Sequence, residues 1–304
     1  MSKRSLVNKP RAPFFPTTLP IGTIGDLLAG CTAMLASVGV TESQREARDI
    51  LAAVLDVPRF WAAANSVADA SPDVARSVIR AAMARATGAP LAYAVGRASF
   101  RHLTLTVDER VLIPRVETEA LVERVLERCT SRTRRIADVG TGSGAIALSL
   151  AFEREFDLVI ATDISLDAID VASANASLLA SVMKSPIEFR NGSLLAPLSG
   201  EKLDAVVCNP PYISFAEIAE LPADVRDWEP SLALLCPDDG LSVTRELIRT
   251  APSVLERGGF LALEVDTRRA GTVAEMIAVD GRYSGVEALL DLTGRERFVL
   301  ATRA

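Results

Sequence analysis

Histidine is nearly missing from this sequence: His102 is the only one in 304 residues. A Ser-His-Asp site would have to be built on it, and no nucleophile-elbow motif accompanies it, which sets hydrolase chemistry of that kind aside. Cysteine is scarce too. Cys31, Cys129, Cys208 and Cys236 are scattered, with no C-x-x-C pair. That spacing suggests neither a metal site nor a disulfide framework, and reads as reduced, mostly buried thiols of a cytoplasmic protein. No apolar run approaches the length of a membrane span. Positive charge is not in excess: 33 Lys and Arg stand against 39 Asp and Glu, a formal net charge of −6. A broad electrostatic grip on nucleic-acid phosphates is therefore not encoded.

The remaining composition is that of a globular protein, with 49% hydrophobic and 24% charged residues, and the length suits one large domain plus a smaller one. Residues 1–20 carry Lys3, Arg4, Lys9 and Arg11, no acid and four prolines. They read as a disordered extension in preference to a transit peptide, and the lack of an apolar h-region argues against secretion. Residues 21–90 read as a helical bundle. Thr23-Ile24-Gly25-Asp26 and Thr41-Glu42-Ser43-Gln44 resemble capping boxes, Ser71-Pro72-Asp73 starts a further helix, and Gly39 closes the first. Ala47, Ile50, Leu51, Val54 and Leu55 share one helical face. Residues 91–114 suggest a linking β-hairpin, from Thr104–Val107 and Arg110–Ile113.

From residue 115 to 304 strands and helices alternate, which implies a largely parallel sheet covered on both faces. Candidate strands are Arg135–Val139, Leu158–Thr162, Ile187–Arg190, Ala205–Cys208, Phe260–Val265, Val286–Leu290 and Arg297–Ala301, with candidate helices near 116–129, 144–153, 166–180, 241–256 and 270–278. Only Asp291 to Glu296 separate the last two strands, too few for a crossover helix, so those strands should pair antiparallel. The expected fold class is α/β: a seven-stranded Rossmann-like sheet of the class I methyltransferase type, its last strand antiparallel.

Asp138-Val139-Gly140-Thr141-Gly142-Ser143-Gly144 follows a strand and opens a helix, where glycines let backbone approach a ligand. Gly140, Gly142 and Ala145 also fit a loose dinucleotide fingerprint, so this loop alone does not choose a cofactor. Asp163, ending the second strand, suits the hydroxyls of a ribose, or else caps the next helix. Asn209-Pro210-Pro211-Tyr212 makes the choice. A planar amide nitrogen is a poor nucleophile because its lone pair is delocalised. The Asn209 side-chain oxygen and the Pro210 carbonyl can each accept one of its hydrogens, and Tyr212 can pack against the planar group. Transfer is then largely a matter of positioning.

With these motifs the chain resembles the HemK/PrmC-type protein-(glutamine-N5) methyltransferases, which methylate the glutamine of the Gly-Gly-Gln loop in peptide chain release factors. The resemblance runs from about residue 21 through Pro90-Leu91-Ala92-Tyr93 with Gly96, Val111 to Arg115 with Glu117-Thr118-Glu119, and the glycine loop. It continues through Asn209 to Tyr212, Glu229-Pro230 to Leu234, Asp239-Gly240-Leu241, and Gly294 to Phe298. It implies S-adenosyl-L-methionine as cofactor, S-adenosyl-L-homocysteine as product and a release factor as partner. Cofactor contacts would come from Asp138, Gly140, Thr141, Gly142, Ser143, Gly144, Asp163, Ser193, Leu194 and Asn209. Asn209, Pro210 and Tyr212 would engage the target amide, with Arg115, Glu117, Glu119 and Pro211 around the substrate; the two glutamates equally suit a helix's first turn. The chain departs from the family at Val116, Ser193, Leu194, Asp266, Arg269 and His102. Those departures motivate an alternative acceptor, a small-molecule amide or guanidine such as arginine, held by Glu117, Glu119 and Asp266.

Overall fold

The computed structural model describes residues 22–304; the expected extension at 1–20 lies outside the described residues. The chain divides into two compact units, one running through Arg97 and including Pro222–Trp228, the other formed by Ala98–Leu221 and Glu229–Ala304.

The first unit is helical. Thr23 caps Ile24–Ser37 through a reciprocal box with Asp26, and Ser71 caps Pro72–Ala86, which has proline in its first turn. Gly39, at φ 83°, lets the chain leave the first helix. The box expected at Thr41 does not form. The helix starts at Ser43 with Glu42 at its N-cap, so the threonine falls one residue too early to reach the first free N–H groups. Leu27, Leu35, Ile50, Leu51 and Val78 fill the core of this bundle.

At the start of the second unit, which opens at Ala98, the chain forms a hairpin of β1 (Arg97–Phe100) and β2 (Leu103–Thr106). The expected partner, Arg110–Ile113, is not a strand. The Asp108 carboxylate accepts from Arg110 N and Nε, and Val111 N bonds to Asp108 O, so a local turn takes up that backbone. Arg101 anchors the hairpin tip: its N–H donates to Glu119 and its guanidinium to Glu123 and Glu153.

Next come β3 (Arg135–Val139), β4 (Leu158–Asp163), β5 (Ile187–Asn191) and β6 (Leu203–Cys208). Two short strands, β7 (Ile213–Ser214) and β8 (Leu235–Cys236), pair with one another, and β9 (Leu255–Glu264), β10 (Tyr283–Leu290) and β11 (Glu296–Arg303) complete the unit. The large sheet has the order β10-β11-β9-β6-β3-β4-β5, and β11 runs antiparallel to both its neighbours. This is the expected seven-stranded arrangement. Ile136 and Leu148 belong to the core on one face, Ala137, Val139 and Ile160 to the core on the other.

Register decides where chemistry can occur. Val139 stands opposite both Thr162 and Cys208, and Cys208 stands opposite Leu263. The next residues, Gly140, Asp163, Asn209 and Glu264, therefore leave the carboxyl ends of four parallel strands at one level. Strand order reverses beside β3, and such a switch point opens the crevice in which open α/β sheets bind ligands.

Candidate active site

A largely apolar cavity occupies that crevice. Gly140, Gly142, Asp163, Ser193, Leu194, Asn209, Pro210 and Pro211 line it, together with Leu112, Ile164, Leu232 and Ala233. Gly140 and Gly142 have φ of 76° and 55°, and a Cβ added at either would meet no atom within 4 Å. The glycines thus leave space that a side chain would occupy. Asp163 accepts from Gly142 N at 2.9 Å and from Ser165 N at 2.9 Å; Ser165, not Asp163, caps the following helix. Burial raises the Asp163 pKa above the usual carboxylate value, against the pull of those backbone N–H groups.

Asp138, Thr141, Ser143 and Gly144 build the floor of the loop and do not line the cavity. Asp138 Oδ2 accepts from the Thr141 hydroxyl at 2.7 Å and from Ala147 N at 3.1 Å, while Oδ1 is buried without a hydrogen-bond partner among the described residues. Burial, only partly offset by the Thr141 and Ala147 hydrogen bonds, pushes its pKa up to about 7. Gly144 packs against Leu148 and Ala172. Sequence reading missed Asn175, almost fully buried, whose Nδ2 donates to the Ser143 and Thr106 carbonyls and whose Oδ1 accepts from Thr106 N. It ties the glycine loop to the hairpin.

On the other side of the cavity the Asn209 amide is held from behind. Its Nδ2 donates to Thr118 Oγ1 at 3.0 Å, and Thr118 Oγ1 donates to Glu264 Oε2 at 2.7 Å. Thr118 and Glu264 are both buried, and burial pushes the Glu264 carboxyl up to about 7 despite the Thr118 hydrogen bond and the positive charge of Arg297. With Nδ2 engaged, the amide oxygen is the atom left for a ligand. Tyr212 follows the cavity-lining Pro211 without lining the cavity itself, and burial holds its phenol neutral, its pKa up to about 12. Gly240 explains the Asp-Gly-Leu motif: at φ 83° it approaches the Tyr212 carbonyl so closely that a Cβ would stand 2.4 Å from that oxygen.

Arg115, Glu117 and Glu119 do not line the cavity. Arg115 Nη2 pairs with Glu229 Oε1 at 2.6 Å, and Glu229 Oε2 accepts from Ile113 N at 3.2 Å. Glu229, its side chain 1% exposed, thereby fastens the segment ahead of the helix Val116–Arg128. Glu119 is committed to the hairpin tip. Among the described residues Glu117 makes no hydrogen bond or ion pair, but its charge acts on Glu264 and Arg297. Asp266, expected as a possible guanidine ligand, is occupied internally. Arg268 donates to it from N, Nε and Nη2, and Arg269 reaches from it to Glu217 and the Asp239 carbonyl. Asp266 and Arg269 knit the loop after β9 to the segment that follows Tyr212.

Residues 116–221 match the family described as Methyltransferase small domain, and residues 26–96 match the PrmC N-terminal domain. The release factor glutamine methyltransferase of Moorella thermoacetica is 42% identical, over 92% of this chain and 99% of that protein. Those of Deinococcus radiodurans and Mycolicibacterium smegmatis are 39% and 38% identical, over 92% and 91% of this chain and 98% and 96% of theirs. The hMettl16 catalytic domain, in a crystal structure with a MAT2A 3'UTR hairpin, shares the fold at a TM-score of 0.52 and 16% identity, covering 77% of this chain and 82% of that one. With its sheet order, its site residues at one level of the sheet and relatives alike over almost their whole length, the chain belongs to the release factor glutamine methyltransferase family.

Proposed function

We propose that this protein transfers a methyl group from S-adenosyl-L-methionine to the side-chain amide of the Gly-Gly-Gln glutamine in peptide chain release factors, in the cytoplasm, releasing S-adenosyl-L-homocysteine. The observation that carries the reading is the orientation of the Asn209 amide, whose nitrogen is tied back to Thr118. Its oxygen remains to accept a hydrogen from an incoming carboxamide.

The cavity residues fit the cofactor. Asp163 offers a carboxylate for ribose hydroxyls, and Gly140 and Gly142 leave room for close backbone approach. Beneath the loop and outside the cavity lining, Asp138 Oδ1, without a hydrogen-bond partner among the described residues, suits a positively charged amino group. When bound, the cofactor supplies an electrophilic methyl carbon on a sulfonium. Leu112, Leu194 and Ala233 would shield it from water, with the more exposed Ile164 and Leu232 beside them. The Asn209 oxygen and the Pro210 carbonyl each accept a hydrogen of the acceptor amide, turning its lone pair towards the methyl carbon. Tyr212, kept as a neutral phenol, packs against the planar group. The acceptor nitrogen would gain the methyl as S-adenosyl-L-homocysteine leaves, and the resulting cation, acidic because amide resonance is lost, would give one proton to water to become the neutral N-methyl amide.

The test is transfer from a labelled methyl donor to a purified release factor, with free arginine and glutamine in parallel. Label on the Gly-Gly-Gln glutamine is expected, and Asn209→Ala should lower transfer by about a hundredfold or more while cofactor binding persists. Label on a free amino acid alone would overturn the acceptor assignment.

A further inference from the structure

We infer that Thr118 and Glu264 are positioning residues that set, through a one-way chain of hydrogen bonds, which end of the Asn209 amide faces the acceptor. The inference rests on the role proposed above for Asn209.

A threonine hydroxyl has a single proton to donate, and here two neighbours compete to define its direction. An ionised Glu264 can only accept, so the Thr118 proton must point at it, 2.7 Å away. The hydroxyl oxygen then presents a lone pair to Asn209, and only the amide nitrogen can answer it, at 3.0 Å. Acceptance at one end of the chain therefore fixes acceptance at the other. A carboxamide whose two ends are nearly equal in shape is held in one of its two orientations.

A proton added to Glu264 reverses the logic. Buried and hydrogen-bonded to Thr118, the new carboxylic acid directs its O–H at the Thr118 oxygen, the hydroxyl proton turns to Asn209, and the amide flips. Its nitrogen would then face the acceptor, donor against donor. The charged and titratable groups around Glu264 are Glu117 and Arg115 at the start of the helix Val116–Arg128, Cys208 ending β6, Tyr212 after it and Arg297 on β11. Glu117 opposes the ionised form, Arg297 and Arg115 favour it, and the balance with burial sets the carboxyl at about 7. Proton uptake near pH 7 is thereby linked to amide orientation.

Three full-length proteins test this: the unmodified chain, Thr118→Val and Thr118→Ser. Rates at saturating release factor and cofactor should bend downward for the unmodified chain as pH falls below about 7. Thr118→Val should lose about tenfold to a hundredfold in kcat, with KM and cofactor Kd little changed, and should show no such bend. Thr118→Ser keeps the hydroxyl and should recover most of the loss together with the bend. A Thr118→Val protein with unaltered kcat, or with the acid limb intact, overturns the inference. So does a flat profile for the unmodified chain between about pH 6 and 8, a result that stands even if Thr118→Val fails to fold. If no release factor is methylated by any of the three, it is the acceptor assignment that fails. The orientation is then read from the Asn209 side-chain amide resonances by nitrogen-15 NMR. A hydrogen-bonded nitrogen that loses its partner on acidification supports the chain, and resonances unmoved by pH or by Thr118→Val refute it.

Discussion

Replacing Glu264 with glutamine is expected to stabilise the fold above neutral pH and to leave it almost unchanged in acid. The Glu264 carboxyl is 1% exposed, and burial raises its pKa from an ordinary 4.5 to about 7. In the unfolded chain the same group ionises near its ordinary value. Between the two values the folded protein holds a proton that the unfolded chain has released, so stability is greatest below the unfolded pKa and is lost as pH rises through the folded one. At a pH above both, the cost of keeping the buried charge is on the order of 3 kcal/mol. Glutamine removes that cost and retains an oxygen that can accept the Thr118 hydroxyl proton. Urea unfolding of the two proteins, from about pH 4.5 to 8.5, should give a stability gap that opens by up to about 1.4 kcal/mol per pH unit and levels off above pH 7. A gap that stays constant with pH, or a variant less stable at high pH, would refute the assignment of burial as the dominant influence on this group. Under the positioning role inferred for Glu264, the charged form that orients Asn209 is also the one that lowers stability.

Two further substitutions probe the glycine loop of the cavity and the segment that Glu229 fastens. Gly142→Ala places a methyl group at a backbone with φ 55°, with no atom within 4 Å of it in a residue that lines the cavity. It should cost about 1–2 kcal/mol in stability and more than tenfold in cofactor affinity by calorimetry, and unchanged affinity would argue that the cofactor lies elsewhere. Glu229→Ala strands the Arg115 guanidinium and the Ile113 N–H. A loss of about 3 kcal/mol in chemical denaturation is expected, at the low end for a broken buried pair because Arg115 is 31% exposed. A loss below about 1 kcal/mol would mean that the pair behaves as a surface contact.

The strands of the large sheet were legible because each is a short buried run whose character is local, and Asp291 to Glu296 left the last pair no choice but to turn back on itself. The hairpin was half legible. Thr104 to Val107 alternates, but its partner Arg97–Phe100 reads Arg-Ala-Ser-Phe, a stretch with no period, whereas Arg110–Ile113 carries the stronger β-prone signal without forming a strand. The capping box at Thr41 failed because the helix starts at Ser43 with Glu42 as its N-cap, one residue later than the motif suggests.

Of the candidate site, the sequence alone picked out the pieces that sit at strand ends and are marked by short local motifs: the glycine loop, the acid ending β4 and the Asn-Pro-Pro-Tyr turn. Tertiary structure decided everything that depends on a partner. Thr118 and Glu264 lie 146 residues apart, and nothing near either shows that one hydroxyl joins them to Asn209. Asp266, Glu119 and Arg115 looked free to meet a substrate, yet each is held by a counter-charge or a backbone group brought in by the fold. A buried or half-buried charge must be neutralised by whatever the fold places within about 3–4 Å, and that distance is not written in the sequence around it.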